Sequence, residues 1–387
     1  MNVDALAFLR GLLPLFTLAL LLTGCAASSI TGSQPAATVL PPTSTPAGAL
    51  PTFSDWRVAY IGQDGTLHAI SQNGASDSRV SAAGEALPLM EQSSYAVFSA
   101  GTSPDGHYFA YSSDQTYIIN LAAHNVPTLP LATLAYAPSA LCWSPDSKRL
   151  AIDDASQGWS IVDVATDQAM LVPGSVAAQA ELLGWIDATH LLGLTGHPGD
   201  STRILLSLDV SSGARRTIAT VSTGSLSNPI FVLSPDGKQV LLYNIVGGEG
   251  DTIPYRPFVA VIDTATGQQQ PLPKIAQLTN GGFESVAWKP GTETVAVAIA
   301  GPWLLDLARD TAIRLPGDQF PLGWAPDTGA LVLSDLGDLR DQVLPGGGIV
   351  PSAVPHLISI MPSLSAAPQV LVQAAYALPF VGFVRTA

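Results

Sequence analysis

Apolar positions along this chain fall into short runs that recur in a fixed order. One kind of run alternates just after a turn, as in Lys238-Gln239-Val240-Leu241-Leu242-Tyr243. A second ends in aspartate: Ser160-Ile161-Val162-Asp163, Leu206-Ser207-Leu208-Asp209, Ala260-Val261-Ile262-Asp263 and Leu304-Leu305-Asp306. Turn residues such as Ser211-Ser212-Gly213 and Thr264-Ala265-Thr266-Gly267 follow, and then a last run such as Arg215-Arg216-Thr217-Ile218. These runs are too short for stable helices and have the period of strands. With the strand before each turn they predict units of four antiparallel strands, A to D.

The turn between A and B is the clearest repeat. Leu141-Cys142-Trp143-Ser144-Pro145-Asp146-Ser147-Lys148 is its fullest copy. Thr102-Ser103-Pro104-Asp105-Gly106 and Leu233-Ser234-Pro235-Asp236-Gly237 repeat it, and Trp288-Lys289-Pro290-Gly291 and Trp324-Ala325-Pro326-Asp327 are altered versions. Trp185-Ile186-Asp187 is a degraded copy without the proline. Proline presets φ, aspartate caps the turn through its side chain, and glycine accepts positive φ. The copies recur at roughly 35 to 55 residues, a spacing that suits propeller blades.

An apolar residue or Trp followed by Ser-Pro-Asp-Gly resembles the TolB-type, WD-repeat-like propeller repeat. The resemblance implies an all-β β-propeller over residues 56–387; its blades read as four-stranded and antiparallel, and counting the repeat copies gives seven-bladed closure, with six or eight blades as the alternatives. It implies no single activity, because propellers host binding, scaffolding and catalysis alike. Blade one begins at Arg57-Val58-Ala59-Tyr60-Ile61 as strand B, so its A strand must come from elsewhere. Phe380-Val381-Gly382-Phe383 matches Leu182-Leu183-Gly184-Trp185 and Pro321-Leu322-Gly323-Trp324. The C-terminal strand is therefore expected to complete blade one and close the ring. Repetition of Trp143, Trp185, Trp288 and Trp324 at one slot points to packing between blades rather than an aromatic cage.

The N-terminal part is different. An apolar run from Gly11 to Leu22, broken by Pro14, leads into Leu22-Thr23-Gly24-Cys25. This resembles the lipobox of bacterial lipoproteins, which implies a signal peptide over 1–24 and acylation of Cys25. The n-region departs from that pattern, with Arg10 offset by Asp4. Residues 25–55 are rich in Ala, Ser, Thr and Pro and read as a flexible tether. The expected location is the extracytoplasmic face of the cell membrane, held through the lipid. Only two cysteines exist, so a lipidated Cys25 leaves Cys142 as a buried, inert thiol and the domain without a disulfide.

Composition narrows the partners. The net charge of −14 argues against nucleic acid, whose phosphates need a basic face. Two B–C connections are long: Asn244 to Pro257, with Glu249, Asp251 and Arg256, and Asp335 to Pro355, with Asp338, Arg340 and Asp341. By strand alternation both leave the same face. Insertions gathered on one face of a repeat ring mark its binding side, so these seven residues, Asp335 included, are the candidate ligand-binding set for a protein or glycan partner.

Catalytic and metal-binding patterns are not found in the sequence. There is no G-x-S-x-G elbow, and the histidines have neither H-x-H nor H-E-x-x-H spacing. Gly346-Gly347-Gly348 has no following lysine, and Asp335–Asp341 lacks the calcium-loop alternation. No catalytic residue, metal or cofactor is assigned. The reading is a binding or scaffolding module, and the alternative is a polysaccharide hydrolase or lyase using channel-facing carboxylates.

Overall fold

The structure is a computed structural model. It describes residues 56–385 except 63–65, 81–99, 113–115, 122–139, 155–157, 176–179, 197–199, 224–228, 245–257, 280–282, 284, 300, 336–341, 344–348 and 351–355. Cys25 and the signal and tether regions lie outside the described residues.

Seven antiparallel blades make a β-propeller. Blades three to six are four-stranded meanders: Ala140–Trp143 to Gln168–Leu171, Ala180–Trp185 to Arg215–Ser222, Pro229–Leu233 to Gln269–Pro271, and Ser285–Trp288 to Thr311–Arg314. Blade two shows Ala100–Thr102, Tyr108–Ser112 and Thr116–Asn120, and its D position falls outside the described residues.

Blades seven and one are fused into one seven-stranded sheet by the strand Gln369–Arg385. Its first half pairs with His356–Met361, the C strand of blade seven, ending at His356↔Ala375. Its second half pairs with Trp56–Gly62, with Val58↔Phe383, Ala59↔Gly382 and Tyr60↔Phe380 in register. The C-terminal strand therefore completes blade one, as the repeat implies. What the repeat did not foretell is that this A strand continues blade seven's D strand without a break.

The core is divided among the seams. Seven hydrophobic clusters each join two neighbouring blades, as Leu150 and Ile152 pack toward blade two while Ala151 packs toward blade four. Period-2 alternation here buries both faces of a B strand, which is why those strands read as nearly unbroken apolar runs.

The Trp slot links the blades by hydrogen bonds as well as by packing. Trp143 Nε1 donates to Gly101 O (3.0 Å), Trp185 Nε1 to Cys142 O (2.8 Å) and Trp324 Nε1 to Ala287 O (2.9 Å), each on the preceding blade's A strand. Trp288 holds the same slot and is buried, yet its Nε1 has no partner among the described residues. Replacing Trp185 with Phe is therefore expected to destabilise by about 1 kcal/mol, since it removes a part-buried hydrogen bond between two blades. Trp288→Phe removes an unsatisfied donor and is expected to be neutral or stabilising, and paired urea melts of the two variants read the difference.

An unexpected helix, Pro273–Thr279, follows the short D strand of blade five. Proline supplies its first position, and Asp310 of blade six accepts from Lys274 N (3.1 Å) and Ile275 N (3.0 Å), two donors a helix start leaves free. Ile275 and Ala276 bury against the five–six seam.

Candidate functional site: the loop-rich face

The face carrying the A–B and C–D turns is occupied by its own hydrogen bonds. In three blades the turn serine donates to the aspartate two residues on: Ser103 to Asp105 (2.6 Å), Ser144 to Asp146 (2.6 Å) and Ser234 to Asp236 (2.8 Å). The serine oxygen then accepts from the first B-strand N–H, as from Arg149 N at 2.9 Å. C–D turns repeat the device: Asp209 Oδ1 accepts from Ser211 and Ser212, and Asp263 Oδ1 from Thr266. These carboxylates hold the turns together.

The same bonds set the acid response. Ser212 and Ser211 hold Asp209 well below the usual carboxylate range, Thr266 lowers Asp263, and Arg309 lowers Asp306. Partial burial opposes the shift at Asp146 and Asp236, but the Ser144 and Ser234 hydroxyls and the Lys148 and Lys238 N–H groups outweigh it. A carboxyl lowered in the folded state contributes stability that is present above the unfolded value, about 4, and is lost as pH falls through the folded value. The melting temperature is expected to be level above about pH 5 and to fall steadily below pH 4. The double variant Ser144→Ala/Ser234→Ala should fall less steeply, and parallel slopes would contradict this account.

On the opposite face the two long connections leave from pinned bases. In blade five Asn244 Oδ1, at the end of strand B, accepts from Phe258 N at the start of strand C (2.8 Å). In blade seven Asp335 Oδ1 accepts from Leu357 N, and Ser334 Oγ donates to Leu357 O (2.8 Å). Asp335 thus anchors its loop. The second connection carries two short antiparallel strands, Gln342–Val343 paired with Ile349–Val350. Glu249, Asp251, Arg256, Asp338, Arg340 and Asp341 lie outside the described residues.

A strands of a propeller line its axis. Among the described A strands Glu181 is the one carboxylate, and it is 64% exposed at the loop-face end of blade four. Two charged side chains are buried there, Asp153 and Arg203, and neither was singled out from the sequence. For Arg203 the available signal was a basic residue near the start of an otherwise apolar strand, Thr202–Asp209, which Asp209 closes. Cys142 is partly buried, its thiol pushed up to about 12 by burial with Asp153 adding to the effect, which disfavours the thiolate form. Among the described residues no group of three or more His, Cys, Asp or Glu is placed to hold a metal, and no helix is long and apolar enough to cross a membrane.

No protein-family model matches the chain, and no curated protein matches it. Solved structures do. TolB from Acinetobacter baumannii is 17% identical with a TM-score of 0.42, covering 68% of this chain, which spans 64% of the TolB chain. An oligogalacturonate lyase from Vibrio parahaemolyticus is 14% identical (TM-score 0.48, covering 71% of this chain and 77% of that one). A chain of a nidogen/laminin complex is 9% identical (TM-score 0.44, covering 67% and 92%). None of these superpositions is close enough to transfer a role, and the fold rests on the strand pairing above.

Proposed function

We propose that the chain is a lipid-tethered, extracytoplasmic lipoprotein whose propeller is a binding or scaffolding module for a protein or glycan partner. The observation that carries the binding reading is the pair of stapled bases, Asn244 to Phe258 and Asp335 to Leu357. They fix where two long connections leave one face, a rigid frame carrying long loops. The tether half rests on Leu22-Thr23-Gly24-Cys25 and the proline-rich segment after it. A paired-carboxylate hydrolase finds less support, because Glu181 has no second carboxylate on the described A strands.

Crosslinking in intact membranes followed by mass spectrometry tests the binding half. A reproducible partner is expected, and it should be lost when residues 246–256 and 337–354 are replaced by short glycine-serine turns. Capture by the loopless domain, or no partner at all, overturns the reading. Labelled palmitate should enter the chain and be absent from Cys25→Ser, which should appear in the soluble fraction. Label retained by that variant removes the tether.

A further inference from the structure

Asp153 and Arg203, the charged side chains buried among the described residues, touch the same strand end. Asp153 Oδ2 accepts from Leu182 N at 3.2 Å, from blade three. Arg203 starts on the C strand of blade four and crosses the B strand, where its Nε donates to Thr195 O at 3.1 Å. Gly196 at φ 91° lets it pass, since a Cβ there would stand 3.1 Å from Arg203 Cδ. The guanidinium thus arrives beside Glu181, at the channel's loop-face mouth.

Its ion pairing there is poor. Nη2 meets Glu181 Oε2 at 3.4 Å, and that carboxylate is mostly in water while Arg203 is 4% exposed. Desolvating a guanidinium is expensive, and a long, solvated contact returns little of that. Among the described residues Nη1 makes no hydrogen bond, and it is not among the sealed polar atoms. Once Glu181 moves aside, Nη1 and Nη2 together form a planar fork that fits a carboxylate in two-point contact.

We propose that Arg203 is a carboxylate-binding residue of the loop-rich face. Glu181 is its resident, displaceable counter-ion, and the ligand is an Asp or Glu side chain of a protein partner. This rests on the binding reading above and narrows it.

The test is an NMR titration of the ¹⁵N-labelled domain with N-acetyl-L-aspartate N-methylamide. Saturable shifts are expected at Glu181, Leu182, Thr195 and the Arg203 side chain, with none from the asparagine analogue. Arg203→Gln should abolish them. Glu181→Gln should tighten binding by about threefold, because the competing carboxylate is gone. Glu181 is exposed, so that variant stays informative even where Arg203→Gln does not fold. Absent shifts, or binding weakened or unchanged in Glu181→Gln, overturn the proposal. Glucuronate binding where the aspartate probe does not overturns its assignment to a protein side chain. A membrane partner still captured by a folded Arg203→Gln variant sinks this inference and leaves the broader binding reading intact.

Discussion

A chain ending at Tyr376 is expected to lose cooperative folding. Removing residues 377–387 takes away the A strand of blade one and leaves Trp56–Gly62 as an open edge. It uncovers two seams at once: Phe383 packs with Val58, Tyr60 and Val332, and Val384 with Ala59, Ile61 and Phe109. Burying each such side chain contributes roughly 1.5–3 kcal/mol, and each backbone hydrogen bond about 1 kcal/mol more. The sum approaches the whole stability of an ordinary domain, roughly 5–15 kcal/mol. Circular dichroism melts should show a broad or missing transition, and size-exclusion chromatography should show aggregation. Adding a peptide of residues 376–387 should restore part of the transition. A truncated chain that melts like the full-length protein would mean the ring holds without its latch.

Gly237→Ala is the second large effect. Gly237 closes the A–B turn of blade five at φ 72°, and a Cβ there would run into the Ile186 carbonyl of blade four's turn. Neither group is a flexible side-chain end, so two blades must separate. Backbone strain of about 1 kcal/mol and an overpacking cost of about 1–3 kcal/mol add to a loss of about 2–4 kcal/mol. Gly291→Ala is the control: its φ is 68°, but nothing lies within 4 Å of the new Cβ. It should cost only the strain, about 1 kcal/mol. Equal losses in urea titrations of the two variants would place the whole effect in φ and none in the seam. Blade three uses the same place differently. Ser147, at φ 60°, turns its hydroxyl to accept from Asp105 N (2.9 Å), so a side chain is tolerated where it bonds the neighbouring turn.

The latch has companions that no repeat copy announces. Gln72, in the C–D turn of blade one, donates to Asp327 Oδ1 (3.1 Å) and accepts from Thr328 Oγ1 (2.8 Å) in blade seven. Phe383 N donates to Thr102 Oγ1 (3.1 Å), the residue that blade two carries in the Trp slot. Thr102 is thus a working member of the inter-blade series rather than a worn copy. In the same way Gly382 (φ 138°) and Gly184 (φ 148°) sit at bulges in their A strands, which the repeated Gly before Phe383 and Trp185 hinted at without explaining.

The candidate site was less legible than the fold. Loop length and strand parity put the two insertions on one face, and both are sequence quantities. Asp335 read as one of several exposed loop acids, but its carboxylate is committed to Leu357 N. Arg203 passed unnoticed because a single basic residue near the start of an apolar run carries no motif. Its meaning depends on a strand crossing that brings it next to Glu181.

The sequence by itself determined the strands, the turns, the blade count and the partner of the last strand. Each of these depends on residues near one another or on a motif repeated at intervals, and alternation and turn chemistry encode such features locally. Only the tertiary structure decided what happens across the seams. There the blades trade hydrogen bonds through Trp slots, Gln72 ties the ends, two sheets merge through one strand, and a buried arginine reaches the channel mouth. Those contacts join residues up to 281 positions apart, as Thr102 and Phe383 are, and no local pattern records which distant backbone group a side chain will meet.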